Sequence, residues 1–198
     1  TGGEIVILDG TYNITASINI LKDNVSIRGN GNATTLKRGY NSTDTDSGPT
    51  ARGLITLNGK SGCKIQGLQI DGNETELQID GNETEHTASY NYGIYLYYSS
   101  NNTITGNTCN NNYFGIYLSS SSYNTVTGNT CTYNNKDGIF LTYSDNNTIT
   151  GNTCTNNSTG IELSSSSETT ITGNTCNNNI HSGILLYSSS NNTITGNT

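Results

Sequence analysis

Methionine and tryptophan are absent from this sequence, proline occurs once, and only 12% of its 198 residues are charged. Alanine, the strongest helix former, appears four times, so a helical fold is disfavoured. Disordered chains are also low in hydrophobicity, but they are rich in Pro, Glu and Lys and poor in Ile, the reverse of what stands here. Basic residues are scarce: eight Lys and Arg against fifteen Asp and Glu give a net charge of −7. All but one of them lie between Lys22 and Lys64, leaving only Lys136 beyond, so no basic patch exists for nucleic acid. The longest apolar run, Ile5 to Leu8, is too short to span a membrane, and no charged-then-apolar leader opens the chain. Without a Met, Thr1 is expected to be the start of a processed or excised piece of a longer chain.

Abundant instead are Asn, Thr and Ser, at 32, 32 and 22 residues, with 20 Ile and 13 Leu inside a 30% apolar share. Branched aliphatics among small polar residues favour strands. Their order is periodic. From Gly93 the chain reads GIYLYYSSNNTITGNTCNNNYF, GIYLSSSSYNTVTGNTCTYNNKD, GIFLTYSDNNTITGNTCTNNST, GIELSSSSETTITGNTCNNNIHS and GILLYSSSNNTITGNT. The leading Gly residues fall at 93, 115, 138, 160 and 183, in steps of 22, 23, 22 and 23, and Cys109, Cys131, Cys154 and Cys176 keep the same step. A superperiod of 45 shows in NNTIT, which recurs from Asn101, Asn146 and Asn191.

Each unit holds three short apolar groups, Ile-x-Leu, x-Ile-x and x-Cys-x, separated by Ser/Asn and Gly-Asn clusters, which predicts three strands and three turns. One unit has too little apolar surface to fold alone. Stacked at a strand spacing of roughly 4.8 Å, the units put Ile on Ile and Leu on Leu, making a parallel β-solenoid. In the unit at Gly93, Ile94, Leu96, Ile104 and Cys109 are predicted to point in, and Tyr95, Thr103 and Thr105 out. Asn107, at the Gly-Asn corner, suits a left-handed backbone, and its amide can hydrogen-bond along a column continued by Asn129, Asn152 and Asn174.

The three-strand coil, the Gly-Asn corner and the pattern G-I-x-L…N-x-I-x-G-N resemble the right-handed parallel β-helix of the pectate-lyase-like superfamily, and most closely the repeats of NosD-like and other archaeal or bacterial cell-surface proteins. The opening GGEIVILDGTYNI…NVSIRGNGNATTL is similar to that superfamily's first coils. The resemblance implies an all-β, right-handed, single-stranded parallel β-helix. It leaves function open, because this fold carries lyases, hydrolases, epimerases, adhesins and structural parts. On the same template Ile18 and Ile20, Ile27 and Leu36 form one coil, and Ile55 with Leu57, Ile65 and Ile70 the next. Residues 1–92 then read as irregular coils with two insertions, about 38–52 and 71–92, and 93–198 as regular repeats of one continuous domain. Both insertions fall at the turn that helps form the substrate cleft in the superfamily.

The second insertion repeats LQIDGNETE from 68 and from 77. Its Asp71, Asn73, Asp80 and Asn82 have the alternating oxygens of a calcium loop, against which stands a solvated loop made by duplication. No cofactor is required by the repeats. Among the regular coils only Glu162 is expected outward on the first-strand face, with Asp137, Asp145, Glu168 and His181 scattered through turns. No catalytic residues are therefore assigned. A catalytic site would need the insertions, with Asp44, Asp46, Arg52 and His86.

Tyr95, Tyr97, Tyr117, Phe140 and Tyr187 fall on the outward rows of the first strand. They are either a platform for sugar rings or a cross-strand aromatic stack that only stabilises the sheet. Thr-x-Thr recurs five times on the second strand, as in Thr103/Thr105 and Thr148/Thr150, and resembles the ice-binding face of Thr-rich antifreeze solenoids. The Cys column reads as buried small hydrophobes, as a disulfide between adjacent coils, or as stacked soft-metal ligands, a reading to which the NosD-like resemblance brings copper. Of eleven Asn-x-Ser/Thr sequons, Asn101, Asn146 and Asn191 line one edge. The expected protein is thus an extracellular or cell-surface solenoid that is structural, adhesive or glycan-binding. Self-association through uncapped ends is expected as well. The rival expectation is part of a polysaccharide lyase or hydrolase, and ice binding is a further one.

Overall fold

The computed structural model describes residues 2–40, 42, 51–73 and 90–198. Every named element among them is a β-strand. In chain order these are β1 (Gly3–Val6), β2 (Gly10–Ile14), β3 (Ile18–Ile20), β4 (Val25–Arg38), β5 (Gly53–Asn58), β6 (Lys64–Asp71), β7 (Tyr92–Tyr97), β8 (Thr103–Thr105), β9 (Thr108–Asn110) and β10 (Ile116–Ser119). There follow β11 (Thr125–Thr127), β12 (Thr130–Thr132), β13 (Asp137–Thr142), β14 (Thr148–Thr150), β15 (Thr153–Thr155), β16 (Thr159–Ser164), β17 (Thr170–Thr172), β18 (Ser182–Tyr187) and β19 (Thr193–Thr195). All pairings are parallel, and the fold is a right-handed parallel β-helix. First strands stack as β3-β5-β7-β10-β13-β16-β18 in a seven-stranded sheet. Second and third strands share a twelve-stranded sheet, because β4 and β6 run unbroken round the corner between them.

Register puts like on like. Ile18, Ile55, Ile94, Ile116, Ile139, Ile161 and Ile184 form one column. A second runs from Ile27 through Ile65, Ile104, Val126, Ile149 and Ile171. Leu36, Ile70, Cys109, Cys131 and Cys154 form the third. Ile94, Leu96, Ile104 and Cys109 are fully buried, so the lumen is lined by apolar side chains. Each Gly of the Gly-Ile pair exists because coils approach closely there: a Cβ on Gly138 would lie 2.8 Å from the Gly160 carbonyl and 3.0 Å from the Cys154 Cβ.

The corners differ from expectation in two respects. In the regular coils left-handed backbone occurs at four places, Tyr98, Asn101, Gly106 and Asn111 and their equivalents, where the sequence pointed to it only at the Gly-Asn corner. At the Gly-Asn corner it is Gly106, φ 62°, that turns the chain, while Asn107 faces inward. In the regular coils from Gly93 onward each left-handed residue is followed by an Asn, Ser or Thr side chain turned into the wall. Asn107 donates from Nδ2 to Asn129 Oδ1 at 3.1 Å, and the ladder continues through Asn152 and Asn174 at 3.0 Å per step. Parallel ladders, not anticipated from sequence, run through Asn102 and Asn124, through Asn112, Asn134 and Asn157, and through Ser99, Ser121, Ser144 and Ser166. These side chains satisfy corner amides that have no strand partner.

Candidate functional site

Two rows project outward from the first-strand sheet. One, directly before each Gly, runs Tyr92, Phe114, Asp137, Thr159 and Ser182; the other runs Tyr95, Tyr117, Phe140, Glu162 and Leu185. Parallel stacking at about 4.8 Å brings their rings together. Tyr95 stacks on Tyr117 at 5.1 Å, Tyr117 on Phe140 at 5.0 Å, and Phe114 on Phe140 at 4.9 Å between centroids. Tyr92 packs edge-on against Tyr95 and Tyr117 at 5.1 and 5.0 Å. Tyr117, Phe114 and Phe140 keep part of their surface in solvent.

Tyr95 departs from its expected open setting. It lies on the outward row, yet it is 2% exposed because Tyr92, Tyr97 and Tyr117 close over it. Burial pushes the phenols of Tyr92 and Tyr95 well above the usual tyrosine range. Tyr97 joins the edge of the cluster, 5.9 Å from Tyr95. Tyr187 does not join it. It stands 66% exposed on β18, with Glu162 and Leu185 intervening. The row of Tyr92 and Phe114 was missed because those residues close one sequence unit while structurally opening the next coil; their signal is the position before each Gly-Ile.

Arg38 fixes this end of the face. Fully buried at the end of β4, it donates from Nη2 to the carbonyls of Tyr92, at 2.5 Å, and Arg52, at 3.2 Å. It therefore ties together the residues that lead into β7 and β5. The Arg52 guanidinium lies over the Tyr90 ring at 4.4 Å.

Where the rings stop, carboxylates begin in both rows. Asp137 follows Phe114, and Glu162 follows Phe140. Asp137 is not in a turn, as expected, but opens β13 and is 5% exposed. A groove of about 360 Å³ brings together Asp137, Glu162, Lys136, His181, Phe114 and Phe140. Burial, aided by the Glu162 charge, pushes Asp137 up to about 7, against the pull of Lys136 and of hydrogen bonds from Thr159. Glu162 is also raised by burial.

The expected calcium loop is only half visible. Asp71 Oδ1 accepts from the Asn73 amide at 3.0 Å and from Asn111 Nδ2 at 3.1 Å, a local turn around Asn73. Asp80 and Asn82 lie outside the described residues, as do Asp44, Asp46 and His86. Asn101, Asn146 and Asn191 share one left-handed corner position, φ 58°, 58° and 56°.

Comparison with known proteins places the sequence. Residues 30–198 match the family model described as "Periplasmic copper-binding protein (NosD)". The chain belongs to the NosD family. Similar solved structures include Geobacillus virus E2 ORF18, with TM-score 0.71 and 17% identity over 88% of this chain and 34% of that one. The DFA-IIIase of Arthrobacter chlorophenolicus A6 gives TM-score 0.69 and 12% identity over 98% of this chain and 57% of that one. The periplasmic alginate epimerase AlgG gives TM-score 0.58 and 20% identity over 98% and 56%. The NosD-family chain thus spans between a third and three-fifths of these structures, and at such identities the likeness shows the fold. No curated protein sequence matches it.

The family's description names copper, and the described residues do not fit it. No group of three or more His, Cys, Asp or Glu converges among them. Cys109, Cys131, Cys154 and Cys176 are free thiols in single file, 0 to 7% exposed, one per coil. Hydrogen bonding to the neighbouring thiol and burial hold Cys109 and Cys154 well above the ordinary thiol range. Cys131 and Cys176 are pulled down instead by their neighbouring thiols, against the penalty of burial. Among the described residues no helix is long and apolar enough to cross a membrane.

Proposed function

We propose that this chain is a secreted or cell-surface glycan-binding solenoid that holds a saccharide along its first-strand face. The observation that carries the reading is the partly exposed stack of Tyr117, Phe114 and Phe140, continued inward by Tyr92 and Tyr95. Such rings offer flat apolar faces on a rigid sheet, and sugar rings present C–H faces of matching size. A binding site built on strands loses little entropy when occupied. Tyr97 extends the platform; Tyr187 is a separate contact two coils on. Fold relatives whose names carry saccharides, the periplasmic alginate epimerase and a GH87 alpha-1,3-glucanase solved with tetrasaccharides, support a glycan as the ligand. The sequon column at Asn101, Asn146 and Asn191 lies at a corner, off the stack, and suits an exported glycoprotein.

Retention on an array of neutral and acidic glycans tests this. Tyr117→Ala combined with Phe140→Ala should lower retention at least tenfold, about 1.4 kcal/mol, while Tyr143→Ala, at a corner, leaves it unchanged. Unchanged retention in the double variant would sink the reading.

A second reading, ice binding, rests on the threonines. Thr103, Thr125, Thr148, Thr170 and Thr193 stand in one register column, and Thr105, Thr127, Thr150, Thr172 and Thr195 in another. It requires thermal hysteresis that Thr148→Tyr destroys; a solution without hysteresis disposes of it.

A further inference from the structure

The groove at the end of the aromatic stack holds two carboxylates, and neither is explained by the fold. Asp137 interrupts a row that otherwise carries Tyr92 and Phe114 before it and Thr159 and Ser182 after it, and Glu162 interrupts a row of Tyr95, Tyr117, Phe140 and Leu185. Each departs from the repeat, and the two departures meet in one cavity of about 360 Å³. Thr159 is the register partner of Asp137 on the next coil, and Asp137 is 5% exposed where it lines the groove. Glu162 is only half-buried, nearer the solvent side. Phe114 and Phe140 form the adjoining wall.

We propose that Asp137 and Glu162 are the general acid and general base of a glycoside-hydrolysing site, placed so that a saccharide stacked on Phe114 and Phe140 presents its next linkage to the groove. This inference rests on the glycan-binding reading and adds a reaction to it. Asp137 donates its proton to the glycosidic oxygen as the bond from that oxygen to the anomeric carbon breaks, its electron pair staying on the oxygen. A water attacks the anomeric carbon, and Glu162 takes the proton that water loses. The products are a new reducing end and a free hydroxyl, and solvent returns the proton from Glu162 to Asp137. The division of labour follows the environments: Asp137, the more buried and beside the Glu162 charge, is pushed up to about 7, while Glu162, only half-buried, is raised by burial with Lys136 pulling it back toward the ionised form. His181 completes the titratable groups lining the groove.

The test measures retention by affinity electrophoresis and reducing-end release separately, on pullulan, laminarin, xylan, alginate and polygalacturonate. The chain should release reducing ends from a polysaccharide that retards it, with activity falling above about pH 7 as Asp137 ionises. Asp137→Asn and Glu162→Gln should each lower release by about 10²–10⁴-fold and leave retention within about twofold, as expected for groups acting on the reacting atoms and not on the bound glycan. Retention without release, or release undiminished in both variants, overturns the inference and leaves the binding reading standing. Absence of retention on every polysaccharide overturns the binding reading, and this inference with it.

Discussion

The rings of Tyr117 and Phe140 lie 5.0 Å apart at 21° to one another, on strands whose register makes the two residues direct partners. Parallel pairing without slip is what holds them so. A one-residue shift would turn both rings into the lumen and Ile and Leu out of it. The core columns and the outward stack are therefore two consequences of one register, and the aromatic face inherits the rigidity of the solenoid.

The asparagine ladder should dominate stability. Asn129 Oδ1 accepts from both the backbone and the side chain of Asn107, and its Nδ2 donates to the Ile104 carbonyl at 3.0 Å. Asn129→Ala orphans buried groups on two coils, at about 1–3 kcal/mol each. For two such groups that is about 2–6 kcal/mol, and calorimetry should show a fall in Tm of roughly 4–24 °C, from about 2–4 °C per kcal/mol at this size. A fall under 2 °C contradicts the ladder's role.

The thiol column predicts chemical silence. All five cysteines are buried and free, so a thiol-specific reagent should find none reacting promptly in the native chain and all five once it is unfolded. Cys131→Ser, which puts a hydroxyl among the apolar side chains of the lumen, should destabilise more than Cys131→Ala. The reverse order would mean that the sulfurs face a polar or metal-bearing environment.

Asp137 sets a pH dependence of stability. Its carboxyl holds a proton to about pH 7 in the folded chain, against the ordinary 3.8, so the native state binds that proton more tightly than the unfolded state. Its contribution is fully present below about pH 4 and is lost as pH rises through about 7. Over about three pH units the loss is at most about 4 kcal/mol. Denaturant titrations at pH 5 and pH 8 should therefore show Asp137→Asn gaining on the native sequence as pH rises. A difference independent of pH contradicts this assignment.

Tyr133 is held at φ 56° with 64% of its surface exposed, where Asn111, Asn156 and Asn178 occupy the equivalent corners. A large side chain is strained in left-handed backbone and Asn far less so. Tyr133→Asn should gain about 0.5–1 kcal/mol, a rise of some 1–4 °C in Tm. A loss would show that the ring makes a contact worth more than the strain.

Much of the fold could be read from the sequence because the determinant is one-dimensional: Ile94, Ile104 and Cys109 recur at a fixed step, and stacking needs nothing else. The Asn107 ladder was legible for the same reason, but not the left-handed turn at Gly106, which depends on which residue of a Gly-Asn pair faces inward. The aromatic face was half legible. Tyr117 and Phe140 sit where the template puts outward residues. Tyr92, Phe114 and Asp137 belong to a row that the sequence unit cuts in two, and their meeting with Glu162 arises only when neighbouring coils are laid side by side. Tyr95 was misjudged because outward on a strand does not mean exposed once larger neighbours close over it.

The central claim, that the aromatic stack holds a glycan, has a direct probe in the composition itself. The chain has two phenylalanines, and Phe114 and Phe140 are both in the stack. Carbon-13 labelling of phenylalanine thus reports the face alone. Titration with a retained oligosaccharide should shift the ring signals of both residues in proportion to occupancy. Binding that leaves both ring signals unmoved would contradict the account.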